Sequence, residues 1–103
     1  MYDFKLNGEG RTIGRWGRLH LKFIKENRPV LYSELVVSGK LWNYLADLND
    51  QAQNRLDIIV MQMKEAEGVT EEFKRKYPIN WVQAMNSIRN RAEEIVLSEL
   101  IYI

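Results

Sequence analysis

The stretch RWGRLHLKFIKENR, residues 15–28, holds the densest cationic chemistry in the chain. Arg15, Arg18, Lys22 and Lys25 recur every three or four residues, which on a helix sets them within about 80° of one another. Arg11 precedes them, Arg28 closes the run, and Glu26 is the only acid within residues 10–28. A ridge of this kind can neutralise phosphates, each contact adding about one unit to the salt dependence of binding. The same spacing also describes the wet side of any amphipathic helix. A helix lying on a membrane surface would look alike, but nothing else in the sequence reads as a lipid anchor.

Other chemistry is thin. His20 is the only histidine, there is no cysteine to partner it, and the serine-nucleophile signature GxSxG is absent. On a helical wheel His20 falls at the apolar edge, so a satisfied core or boundary histidine outweighs a catalytic one. Asp47, Asp50 and Asp57 share one helix face, yet bundle di-metal sites need glutamates together with Glu-x-x-His pairs. No metal and no cofactor is expected. Glu93 and Glu94 diverge because adjacent helical residues do not face each other. GEGRTIG has glycines but neither a Walker lysine nor a strand–loop–helix setting. Catalysis is therefore not expected. The acids Asp47, Asp50, Asp57, Glu65, Glu67, Glu71 and Glu72 form instead a candidate surface for a protein partner.

The elements that must position these groups follow from composition and period. The 103 residues suit one domain, and 46% apolar with 28% charged residues is an ordinary globular balance. No run of about 18 apolar residues exists, the N-terminus lacks a signal-peptide core, and cysteine is missing, so a cytoplasmic, membrane-free setting is expected. The net charge of +1 hides a split: residues 1–28 carry a local +4, residues 29–72 a local −5, and residues 73–103 a local +2. A basic end beside an acidic middle suggests either a polar partner or an internal match.

The fold expected is all-α, one unit over 1–103, with a short N-terminal β-hairpin as an option. Residues 1–13 form an arm or hairpin, because Tyr2, Phe4 and Leu6 alternate ahead of Asn7-Gly8. Residues 14–28 form the basic amphipathic helix, which Gly17 weakens and Pro29 stops. A long helix spans 38–67, capped by Ser38, stopped by Gly68, and seamed by Leu41, Leu45, Leu48, Ala52, Leu56, Ile59, Met63 and Ala66. Thr70 caps a short helix, and Asn80 with Gln83 reads as a capping box for a last helix over 80–101. Its seam is Trp81, Met85, Ile88, Ala92 and Ile95. The two long helices are expected to pack as an antiparallel hairpin, with the basic helix across their open face.

Three stretches then carry a likeness: SGKLWNYLADLNDQAQNRL (38–56), QMKEAEGVTEEFK (62–74) and WVQAMNSIRNRAEEIVLSELIY (81–102). They resemble the TnpV family, small proteins encoded on transposons and conjugative elements of Gram-positive gut bacteria. The resemblance implies a mobile-element accessory protein without catalytic residues, a family compared with excisionases, the DNA-bending partners of recombinases. Leu19-His20-Leu21-Lys22 stands where relatives are more basic, which weighs toward a protein partner.

Two expectations of function result. One is a non-enzymatic protein that contacts DNA or a recombinase–DNA complex through Arg11, Arg15, Arg18, Lys22, Lys25 and Arg28. The other is an inhibitor or adaptor that blocks a host nuclease or defence complex, anti-CRISPR-like, through the acidic surface. A third possibility is a purely structural homodimer.

Overall fold

The computed structural model describes residues 11–103, and the Asn7-Gly8 hairpin lies outside them. The described residues are mostly helical, with no strand among them. The helices are α1 (Gly14–Asn27), α2 (Pro29–Ser38), α3 (Leu41–Glu67), α4 (Glu71–Lys76) and α5 (Pro78–Val96), the last continuing into a π-helical turn, Leu97–Ile101.

The boundaries correct three expectations. Ser38 does not cap α3; it is the last residue of α2, and its hydroxyl donates to the Leu35 carbonyl at 3.2 Å. Gly39 takes the left-handed conformation, φ 73°, so the chain turns there and α3 starts at Leu41 without a side-chain cap. Asn80 and Gln83 form no capping box, because α5 already starts at Pro78. A proline at the first position carries the helical φ and lacks only an N–H that would have no partner in the helix. Finally, α5 does not stay α-helical to residue 100. It widens after Val96, and the Tyr102 N–H reaches back to the Leu97 carbonyl at 2.8 Å. Two other ends match their signals: Gly68 closes α3, and the Thr70 hydroxyl accepts from the Phe73 N–H at 3.1 Å.

The core falls in two clusters along a body of 55 × 27 × 20 Å. The first joins Leu48, Ala52, Leu56 and Ile59 of α3 to Ala92, Val96 and Ile101, with Trp16 of α1 among them. Ala52 and Ala92 have no exposed surface, and small side chains there let the two helices approach closely. Arg55 pairs with Glu99 and Glu67 with Arg91, so α3 descends as α5 rises. The second cluster holds Ile13, Ile24, Leu41, Leu45 and Ala46, with Leu31, Tyr32 and Leu35 of α2 packed against it.

Gly17 fixes how tightly α1 seats on α3. A Cβ built there would lie 3.0 Å from the Leu45 carbonyl oxygen and 2.8 Å from the Ile13 side chain. Its low helix propensity is the local cost of that approach.

Candidate nucleic-acid interface

The basic helix is amphipathic because its apolar residues recur on one side. Trp16, Gly17, His20 and Ile24 are buried, while Arg15, Arg18, Lys22 and Lys25 face water. Its N-terminus has no local cap. Asn49 of α3 serves instead, its Oδ1 accepting from the Trp16 N–H at 3.0 Å and the Gly17 N–H at 3.3 Å. Nothing in residues 11–17 signals this, since the capping group lies more than thirty residues downstream.

The six cations do not act alike. Arg11 sits between two acids of α3, 2.7 Å from Asp47 and 3.2 Å from Asp50, and its backbone carbonyl accepts from the Trp42 indole at 2.6 Å. Arg15 grips both oxygens of Glu93 at 3.0 and 3.3 Å and lies 4.6 Å over the Trp16 ring. These two arginines spend their charge inside the molecule. Arg18 and Lys22 make no ion pair among the described residues. The Lys25 ammonium rests 5.5 Å over Tyr32, and Arg28 reaches the Ile103 carbonyl at 3.5 Å. Neither contact cancels a positive charge. Four cations thus remain at 18, 22, 25 and 28.

The acids divide similarly. Asp47 and Asp50 hold Arg11, Glu67 holds Arg91 at 2.7 and 2.9 Å, and Glu72 pairs with Lys76 one turn on. The Arg91 guanidinium keeps the Glu67 carboxyl below its ordinary pKa, and Arg55 does the same for Glu99. Asp57 accepts from the Gln53 amide at 3.0 Å and makes no ion pair among the described residues. Glu65 and Glu71 are exposed and make no ion pair among the described residues. The basic end and acidic middle are in part matched to each other.

His20 is a satisfied core histidine, 1% exposed. Its Nδ1 donates to the Ile101 carbonyl at 2.7 Å, and its Nε2 accepts from the Tyr44 hydroxyl at 2.9 Å. Burial pushes its pKa below the ordinary histidine value. The ring ties α1, α3 and the π turn together, and a single wheel position at the apolar edge was its only sequence signal.

A groove of about 630 Å³ opens along the distal half of α3. Leu56, Val60 and Val69 line its floor, with Met61 beside them, and Asp57, Lys64, Glu65 and Arg89 stand around it. Among the described residues no group of three His, Asp or Glu side chains gathers as metal ligands do, and no helix is long and apolar enough to cross a membrane.

The profile of a protein family described as transposon-encoded protein TnpV matches residues 3–101. The chain belongs to the TnpV family. The match covers nearly the whole sequence, in agreement with the resemblance carried by residues 38–56, 62–74 and 81–102. No curated protein and no solved structure matches it. Membership makes this TnpV-family chain a transposon-associated protein, and no catalytic family is indicated.

Proposed function

We propose that this TnpV-family protein is a non-enzymatic accessory factor of a mobile element, working in the cytoplasm by contacting DNA or a recombinase–DNA complex in an excisionase-like manner. One observation carries the reading: Arg18, Lys22, Lys25 and Arg28 stay exposed on α1 and its end with no acid paired to them among the described residues. At about 1.5 Å per residue the four span roughly 15 Å, a length suited to successive phosphates. In this reading α3 and α5 are an antiparallel hairpin scaffold, and α1 covers it while presenting the ridge outward.

The acidic alternative, a surface that occupies a host nuclease, retains three acids without an ion pair among the described residues, Asp57, Glu65 and Glu71. They are spread over α3 and α4, and the other four acids of that set are bound to the protein's own cations.

Duplex-DNA titrations over a range of salt test the proposal. Four phosphate contacts give a slope of log K on log salt of about −3 to −4. Replacing Arg18 and Lys22 by alanine lowers that slope by about two units, whereas Arg11→Ala leaves it unchanged. Affinity no better than that of an acidic control protein, or a slope near zero, rejects it.

A further inference from the structure

α2 is the least buried of the helices for its composition. The sequence PVLYSELVVS carries a single charge, yet none of its ten residues is buried. Leu31, Tyr32 and Leu35 turn partly inward, while Val30 is 71% and Val37 87% exposed. Apolar residues gathered so openly on one short element mark a contact surface. On the distal half of the body lies a surface of matching character, the groove over Leu56, Val60 and Val69, with Met61 61% exposed at its side.

The charges around the two surfaces complement each other. Glu34 is the one acid of α2, and Lys40 follows its end; neither makes an ion pair among the described residues. The groove offers two cations, Lys64 and Arg89, and two acids, Asp57 and Glu65, likewise without ion pairs among the described residues. A helix seated there can set Glu34 against Lys64 and Arg89 while Lys40 meets one of the acids.

We infer that two copies of this chain associate about a two-fold axis, each seating the Val30–Val37 face of its α2 in the other's groove. The two surfaces lie at different levels of α3. From Leu41, beside α2, to Val60 in the groove is about 28 Å at ~1.5 Å per residue. A helix ten residues long therefore cannot turn back into its own groove, but an antiparallel neighbour brings each α2 level with the other's. A two-fold contact makes the interaction twice. One ten-residue helix face, roughly 15 by 10 Å, is far too small to hold a dimer alone. The doubled contact sits at the low end of specific interfaces, below about 1,200 Å² in total, so the dimer is weak and concentration-dependent.

Sedimentation or light scattering of the full chain measures this. The mass rises from 12.2 kDa toward twice that value as concentration increases about a hundredfold. Val37→Asp in α2 and Met61→Asp beside the groove each keep the helical circular-dichroism spectrum, because both side chains face water in the single chain, and each holds the protein at 12.2 kDa. Glu34→Lys weakens association, and adding Arg89→Glu to the same chain restores it. A monomer at every concentration overturns the inference. So does a dimer that survives Met61→Asp, which would mean α2 pairing with α2, or one that survives Val37→Asp. Failure of the double charge exchange to restore association overturns it as well.

Discussion

α1 and α2 are consecutive helices of similar size with opposite fates. α1 is the more polar of the two, carrying four cations and an acid in fourteen residues, yet it buries Trp16, Gly17, His20 and Ile24. α2 is apolar over most of its length and buries nothing. The difference lies in arrangement rather than in amount. In α1 most apolar residues fall on one side, so a single docking event buries Trp16 and Ile24 and partly covers Leu19, Leu21 and Phe23. In α2 they surround the helix, and the side turned toward α1 and α3 leaves Val30 and Val37 outside. Burial is won by a helix whose apolar surface has a direction.

Substitutions are expected to separate the two helices sharply. The largest effect is expected at Ile24, which has no exposed surface. Ile24→Ala removes buried methyl groups and leaves a cavity, a loss of about 2–5 kcal/mol measurable by urea unfolding. A loss below about 1 kcal/mol would mean that α1 is not seated as described.

Next comes pH. The folded-state pKa of His20 lies below its unfolded value, so the native ring stays neutral where the unfolded chain already takes up a proton. Its contribution is therefore complete above the unfolded value, about 6.5, and falls as pH drops beneath it until the folded pKa is reached, with a limiting slope of ~1.4 kcal/mol per pH unit. The depressed carboxyls Glu67 and Glu99 act in the same direction, but only as pH falls through their ordinary carboxylate range and below. Urea midpoints compared between about pH 7.5 and pH 5 thus isolate the histidine, and His20→Gln should flatten that part of the profile. An unchanged slope in the variant would remove His20 from the account.

The smallest effect is expected on α2. Val37→Ser should change the unfolding free energy of the dilute chain by no more than about 0.5 kcal/mol, because the side chain is 87% exposed. A cost near that of Ile24→Ala would close the gap between the two helices and end the comparison.

Much of the helical content was legible in the order of residues. The α3 seam from Leu41 through Ile59 is buried at every position named for it, since a spacing of three and four residues states a face without reference to any partner. Gly68 and Thr70 worked as end signals because caps act within a few residues. Where the reading failed, a nearby signal competed with a stronger one: Ser38 lost to Gly39, and Asn80 to Pro78. Farther along, Met63 and Ile95 are only partly buried and Ala66 is exposed, while Val96 and Ile101 fill the core. Val96 follows Ala92 at an ordinary four-residue step, whereas Ile101 is buried within the π turn, which no alternation in the sequence announces.

The candidate site was less legible than the fold. All six cations of the ridge could be named, but the two that are neutralised could not. Arg15 finds Glu93 seventy-eight positions away, and Arg11 finds Asp50 thirty-nine away. The sequence by itself determined where helices form and which side of most of them is apolar, because both depend on neighbours within a turn or two. Only the tertiary structure decided which charges are cancelled, that Asn49 caps α1, that Gly17 admits the α3 backbone, and that α2 leaves Val30 and Val37 outside the core of the single chain. Those outcomes depend on distances between residues remote in sequence, and a distance across a fold is set by the packing of whole helices, not by any one residue's type.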